Sequence, residues 1–486
     1  MKVNEKILAN TVRRCKERGI TIPTIAQQKD PSKIPQKIKD QLRNIGLWDV
    51  HPLNLFRITW KNNPKENGGD GLFNGVNYLE LPPSLTGVKA RIVGLVGKWF
   101  PTGAHKVGAA FGCLAPRLVS GNFDPTTQKA VWPSTGNYCR GGAFDCALLA
   151  CDAIAILPQE MSKERFEWLE KIGTSEIFAT PGCESNVKEI YDKCHELRRE
   201  RGDKIVVFNQ FDEFGNTLWH YEVTGSAIEE VFNKIKKSDS RLSAYVSATG
   251  SAGTIGAGEY LKKKFPTVKI AASEALQCPT LYLNGFGGHR IEGIGDKHVP
   301  WIHNVRNTDN VVAIDDEDTM RLLRLFNEEA GHKLLEKEGV PSDIIKKLPL
   351  LGISGICNLL SAVRMAKYYE LSEKDIVFTI FTDSAGMYLS RIEELNKERG
   401  KYTELDAARD FDRRLMGAGL DWIKELSYYD RKALHNLKYF TWVEQQGKTV
   451  DEINALWHPE FWDEIYSHVP EWERLIEDFN KRTGLI

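Results

Sequence analysis

Long runs of one charge sign are missing from this chain of 486 residues. Its 65 basic and 66 acidic side chains nearly cancel to a formal charge of −1. Without clustered lysine and arginine, the phosphate backbone of a nucleic acid has no electrostatic partner here. An apolar run of roughly 18 residues, the length needed to span a bilayer, is absent too. The opening Met1-Lys-Val-Asn-Glu-Lys6 leads into polar sequence rather than an apolar signal core, so neither export nor membrane insertion is expected. Nine cysteines are scattered with no Cys-x-x-Cys pair and no metal-finger spacing; they read as reduced thiols of a cytoplasmic protein with no metal centre. Internal repeats and low-complexity tracts are also lacking. What remains is a chain long enough for two or three lobes, whose default ligand is a small molecule.

The apolar pattern alternates short β-branched runs with amphipathic segments. Strands are expected at Ala90–Gly97, Lys129–Trp132, Ala153–Leu157, Glu176–Ala179, Lys204–Phe208, Leu242–Ser247, Lys269–Ser273 and Asp375–Phe381, with helices between most of them. Strand, helix and strand in repetition mean parallel sheet with crossover helices. The expected architecture is α/β, with two doubly wound lobes. An N-terminal extension covers residues 1–76, a smaller lobe 77–222, a larger lobe 223–395, and a helical C-terminal extension without strands 396–486. The aromatic content of that last segment points to packing against the body or a second subunit.

In open α/β sheets ligands gather at the carboxyl ends of strands, and four loops there carry chemistry. Pro101-Thr-Gly-Ala-His-Lys-Val-Gly108 is a turn of small residues that delivers Lys106 to the start of a helix. Burial lowers the pKa of such an amine toward the working range of a covalent or general-base lysine, although a lysine after a turn is ordinarily a solvated surface residue. Ser134-Thr-Gly-Asn-Tyr-Cys-Arg-Gly-Gly142 combines hydroxyls and amides at a helix start, which makes either an anion site or a plain N-cap. Ala248-Thr-Gly-Ser-Ala-Gly-Thr-Ile-Gly256 has glycines at 250, 253 and 256, so the dinucleotide fingerprint is not met and a single cradled phosphate is the simpler interpretation. Thr382-Asp-Ser-Ala385 offers a carboxylate or a hydroxyl to the nitrogen of a heteroaromatic ring.

A lysine, a phosphate cradle, an asparagine for a phenolic oxygen and a ring-nitrogen partner together describe pyridoxal phosphate. With them the chain resembles the fold-type II pyridoxal-phosphate enzymes, the cysteine synthase and cystathionine β-synthase group within the tryptophan synthase β-like superfamily. The resemblance runs from about residue 77 to 395. It extends to Leu157-Pro-Gln-Glu-Met-Ser-Lys-Glu-Arg165, to Asn209-Gln-Phe211 with Asn216, His220 and Thr224-Gly225, to His289-Arg-Ile-Glu-Gly-Ile-Gly295 and to Gly352-Ile-Ser-Gly355. It implies that Lys106 is the Schiff-base lysine, that Asn137 meets the cofactor's 3′ oxygen, and that Thr249, Gly250, Ser251, Ala252 and Gly253 form the phosphate loop. Gly293 would lie beside the cofactor and Ser384 would meet the pyridine nitrogen. Ser134, Thr135 and Asn137 would bind the substrate carboxylate, with Tyr138 and Arg140 beside them. Arg140 is open to two readings, a second substrate anion or a surface acid. The Gly-Ala-His-Lys spelling is similar to the tryptophan synthase β chain, but Ser-Thr-Gly-Asn replaces that chain's acidic loop and argues against indole as acceptor.

The resemblance implies β-replacement or β-elimination on a β-substituted L-amino acid through an aminoacrylate, with Lys106 taking the α-proton. The partners are an amino-acid donor such as O-acetylserine and a thiol or sulfide acceptor, in a cytoplasmic homodimer. Serine or threonine dehydratase-like and cysteine lyase activities share this logic and stay open, as does a pyridoxal-phosphate-binding but idle subunit.

Overall fold

The computed structural model describes residues 2–134, 136–295 and 297–485. Thirteen strands are present among them. β1 (Asn62–Asn63) and β2 (Leu72–Phe73) make a small antiparallel ladder in the N-terminal extension. The remainder are β3 (Tyr78–Leu81), β4 (Arg91–Val96), β5 (Lys129–Pro133), β6 (Asp152–Pro158), β7 (Glu176–Thr180), β8 (Ile205–Val207), β9 (Arg241–Ala248), β10 (Lys269–Ala275), β11 (Asn310–Ile314), β12 (Asp375–Phe381) and β13 (Ile423–Glu425).

They form two sheets. The smaller has the order β7-β6-β5-β8 and is wholly parallel. The larger has the order β13-β11-β10-β9-β12-β4-β3, parallel inside and antiparallel at both edges. Parallel strands are covered by helices on both faces and therefore read as continuous apolar runs; every residue of β11 and β12 is buried. The helix Ile353–Tyr368 packs across β9, β11 and β12.

Two expectations are corrected. β3 and β4 do not join the small lobe: β4 pairs with β12 in the large sheet. An apolar strand pattern reports burial, not which sheet supplies the neighbour. The C-terminal extension is not strand-free either, because β13 pairs antiparallel with β11; three residues are too few to leave a periodic signal.

The placement of β4 matters for the site. β9, β12 and β4 are consecutive neighbours, so the loops leaving their carboxyl ends emerge side by side. Those loops are the glycine loop, the Asp383-Ser384 loop and the lysine turn. Only the asparagine loop comes from the other sheet, after β5.

Both extensions belong to the body. Trp60 donates its indole N–H to Thr224 Oγ1 at 3.0 Å. The Asn480 side chain takes the amide of Ile22 at 3.0 Å and donates to its carbonyl at 2.8 Å. Lys438, fully buried, donates to the carbonyls of Trp301 at 2.9 Å and His303 at 2.7 Å. Among the described residues no helix is long and apolar enough to cross a membrane.

Candidate active site

The lysine turn is held in an uncommon conformation. Thr102 has φ 71°, left-handed for a residue with a branched side chain, and a side chain on Gly103 would collide with the Trp48 indole. What holds the turn is a guanidinium, since Arg140 donates from Nη2 to Thr102 O at 2.9 Å. The helix Lys106–Val119 then opens directly on the lysine. Its Nζ donates to Ser251 Oγ at 2.9 Å and to Gln210 Oε1 at 3.2 Å. The preceding His105 is fully enclosed, and burial pulls its imidazole down to about 3, so it is neutral.

Opposite the lysine lies the loop between β9 and the helix Ile255–Lys264. The backbone N–H groups of Gly250, Ser251 and Ala252 have no hydrogen-bond acceptor among the described residues. Ala252 has φ 62°, so successive amides turn inward as a nest for an anion at a helix start. Gly253 admits no side chain, because a Cβ there would sit 2.0 Å from Asn216 Oδ1. Asn216 in turn donates to Ser251 Oγ at 2.9 Å and Gln210 O at 3.0 Å. Thr249 is spent on structure, its hydroxyl bonding to Ser273 O at 3.0 Å.

Asn137 begins the helix Asn137–Leu148. Its Nδ2 donates to Asp383 Oδ2 at 2.7 Å, and its Oδ1 faces Arg140 Nη1 at 3.4 Å. The amide is thus held with its nitrogen away from Arg140 and one N–H still available. Asp383, fully enclosed, also accepts from Tyr388 OH at 2.7 Å; burial pushes its carboxyl up against the pull of Tyr388, Arg165 and Asn137. Tyr388 OH accepts in turn from Arg165 Nη2 at 3.1 Å. With the carboxylate engaged in this chain, the buried Ser384 hydroxyl makes no hydrogen bond among the described residues.

Lys106, Ser134, Asn137, Gly250, Ser251 and Gly293 line one pocket, which brings together the lysine turn, the asparagine loop and the glycine loop; Ser384, Thr249, Ala252, Gly253 and Arg140 are not among its lining residues. Ser134 Oγ accepts from Gly136 N at 2.9 Å. Thr135 lies outside the described residues. Tyr138 reaches the pocket wall, but its ring packs edge-on against Trp132 at 5.4 Å and its hydroxyl sits by the Cys113 thiol. Arg140 is not paired with a surface acid, the second of the two readings made of it. It is buried, has no carboxylate at ion-pair distance among the described residues, and lies 4.7 Å over the Trp168 ring. Three residues after Asn137, it falls on the helix face turned toward the lysine turn.

Three participants escaped the sequence reading. Gln210 and Asn216 belong to the resemblance but were given no role, since nothing in their spacing ties them to Lys106. Ser354 lies in Gly352-Ile-Ser-Gly355 at the start of the helix Ile353–Tyr368; its buried Oγ has no partner among the described residues. A side chain on Gly293, φ 94°, would lie 3.8 Å from that Oγ and 4.0 Å from Asn137 Nδ2.

These groups suit pyridoxal phosphate: an amine, an amide nest for a phosphate, an asparagine N–H for an oxyanion, and the unpaired hydroxyls of Ser354 and Ser384 for ring polar atoms. Known proteins point the same way. A family model described as pyridoxal-phosphate dependent enzyme matches residues 99–336. Cysteine synthase B of Campylobacter jejuni is 30% identical over 291 residues, 60% of this chain and 87% of that protein. Cystathionine beta-synthase of Saccharomyces cerevisiae is 25% identical over 388 residues, 78% of this chain and 73% of the relative. The solved structure of O-acetyl serine sulfhydrylase isoform 3 from Entamoeba histolytica aligns with a TM-score of 0.57 at 24% identity, over 71% of this chain and 94% of that one, which establishes the shared fold. Geometry and sequence agree that this chain belongs to the pyridoxal-phosphate dependent enzymes, within the group that holds the cysteine synthases and cystathionine β-synthases.

Proposed function

We propose that the protein catalyses β-replacement on a β-substituted L-amino acid, with O-acetylserine or a similar donor and sulfide or a thiol as acceptor. The observation that carries this reading is the position of Lys106 Nζ, 2.9 Å from Ser251 Oγ and in one pocket with Asn137, Ser134 and Gly293. When bound, pyridoxal phosphate supplies an electron sink for charge developing at the substrate α-carbon.

The chain's own residues divide the remaining work. The amides of Gly250, Ser251 and Ala252 would hold the phosphate, and Asn137 Nδ2 the 3′ oxygen. Ser384 Oγ would face the ring nitrogen; a neutral hydroxyl there leaves that nitrogen unprotonated, which favours departure of the β-substituent over transamination. Ser134, Thr135 and Asn137 would orient the substrate carboxylate. Lys106 would hold the cofactor until substrate arrives, then take the α-proton on Nζ. We read the working unit as a cytoplasmic homodimer, to which the exposed Phe286, Tyr429 and Phe440 offer apolar surface.

The test is to give the reconstituted protein O-acetylserine with and without sulfide. Cysteine should form only with both, and Lys106→Ala should abolish it together with the cofactor's lysine-bound absorbance. Pyruvate released at one rate whether or not sulfide is present would overturn the reading in favour of elimination.

A further inference from the structure

A cavity of about 640 Å3 lies against the carboxyl half of the lysine helix and shares no lining residue with the cofactor pocket. It has the size of a small-molecule site. Its floor is the segment 209–213, one side is the helix Val187–Arg201, and another is the C-terminal extension. The extension therefore supplies a wall, although it lies outside the residues 99–336 that the family model matches.

The charges on the walls are unequal. Glu213 is paired with Arg117, and Asp212 with Lys448 at 3.4 Å. Arg198 and His195 also line the cavity, and among the described residues their side chains make neither a hydrogen bond nor an ion pair. Three permanent cations thus face two carboxylates. A concave wall with surplus positive charge concentrates anions. Arginine and lysine side chains with donors to spare hold carboxylate or phosphate oxygens through charge-assisted hydrogen bonds.

The cavity is mechanically close to the chemistry. Asp212 N and Glu213 N both donate to Asn209 O, at 3.2 and 3.0 Å, and Phe211 N donates to Asn209 Oδ1 at 3.2 Å, which makes residues 209–213 one hydrogen-bonded turn. One side of that turn, Asp212 and Glu213, faces the cavity; the other, Gln210, touches Lys106 Nζ at 3.2 Å. A ligand that draws Lys448 off Asp212 or Arg117 off Glu213 changes the load on the turn and so the placement of the Gln210 oxygen.

We propose that this cavity is an effector site for a small organic anion bearing carboxylate or phosphate groups, and that its occupancy is passed through the turn 209–213 to Lys106. The site itself is independent of the proposed function; only its readout at the lysine rests on that reading.

The experiment is isothermal titration of the full-length holoenzyme with citrate and, separately, inorganic phosphate, at ionic strength fixed with chloride. Bound cofactor keeps added phosphate out of the glycine loop. At least one probe should bind saturably at one site, with affinity at least tenfold weaker in Arg198→Ala and in Lys448→Ala, both of which alter side chains at the cavity rim. Saturation should shift the visible absorbance of the cofactor in the native protein and leave it unmoved in Gln210→Ala, a reciprocal coupling between two distinct sites. Absence of saturable heat with both probes, binding undiminished in both rim variants, or displacement of the probe by O-acetylserine would each overturn the proposal. If no cofactor is taken up at all, the reading of Lys106 fails, while the citrate heats and their loss in Arg198→Ala and Lys448→Ala still decide the cavity.

Discussion

Replacing Gly253 with alanine tests the construction of the glycine loop by the addition of one methyl group. The new Cβ would lie 2.0 Å from Asn216 Oδ1, 2.5 Å from its Cγ and 2.8 Å from its Nδ2. Ordinary contact begins near 3.4 Å, so Asn216 or the loop must move by more than an ångström. Asn216 has no room to yield, being fully buried and held by hydrogen bonds to Gln210 O and Ser251 Oγ. Overpacking of this kind costs about 1–3 kcal/mol, and the loss of two buried hydrogen bonds adds about 1 kcal/mol each. The sum, about 3–5 kcal/mol, falls on the loop whose amides would hold the phosphate and on the hydroxyl that accepts from Lys106. Urea unfolding of the apoprotein and an absorbance titration with pyridoxal phosphate measure the two consequences. The expectation is a clear loss of stability and a cofactor affinity lower by at least ~100-fold, since each tenfold is about 1.4 kcal/mol. Gly75→Ala, where a Cβ meets nothing within 4 Å, is the control. A Gly253→Ala protein within about 0.5 kcal/mol and threefold of that control would refute the argument, because ordinary surface substitutions stay within that range.

Three further outcomes are expected. Arg140→Met removes the donor to Thr102 O and should cost about 1–3 kcal/mol for the orphaned carbonyl while weakening cofactor binding; Arg140→Lys should not restore it, because an ammonium lacks the planar fork that reaches Thr102 and Asn137 together. Equilibrium dialysis of the cofactor checks both. Asp383→Ala strips the acceptor from Asn137 and Tyr388 and should destabilise by about 3–5 kcal/mol in urea unfolding, the range for breaking a buried charged network; Asp383→Asn, which keeps one acceptor oxygen, should recover part of it. For Lys438, burial pulls the amine down to about 7, against about 10.4 in an unfolded chain. Between those values the unfolded state binds the extra proton, so Lys438 contributes stability that is present above about pH 10 and is lost as pH falls toward 7. The slope is at most about 1.4 kcal/mol per pH unit. The difference in unfolding free energy between native protein and Lys438→Met should change with that sign between pH 7 and 9, and a difference that is flat with pH would contradict the assignment.

The four loops were legible because each concentrates small residues, hydroxyls or a lysine directly after an apolar run, a local signature of strand end and helix start. Lys106, Asn137 and the segment 249–253 could be picked out that way. What orients them could not. Asp383 meets Asn137 across 246 positions and Lys106 meets Ser251 across 145, distances over which a single sequence carries no pairing information. Arg140 shows the limit from another side. Its position three residues after Asn137 suggested substrate contact or a surface acid, but helix phase turns it into the interior, where backbone carbonyl, amide oxygen and indole replace an acid. The sheet assignment of β4 was out of reach for the same reason, since its neighbour β12 begins almost three hundred residues later.

The clasp between Asn480 and Ile22 has a consequence for the order of events during synthesis. Its two ends are 458 positions apart, so the segment around Ile22 leaves the ribosome long before its partner exists. At translation rates of roughly 5–20 residues per second, that wait lasts from about twenty seconds to a minute and a half. For that time Leu8, Ile20 and Ile22, which end in the interior, lack the final helix Val469–Thr483 that covers them. The nascent protein must be guarded, or fold in the wrong company, until the helix Val469–Thr483 arrives.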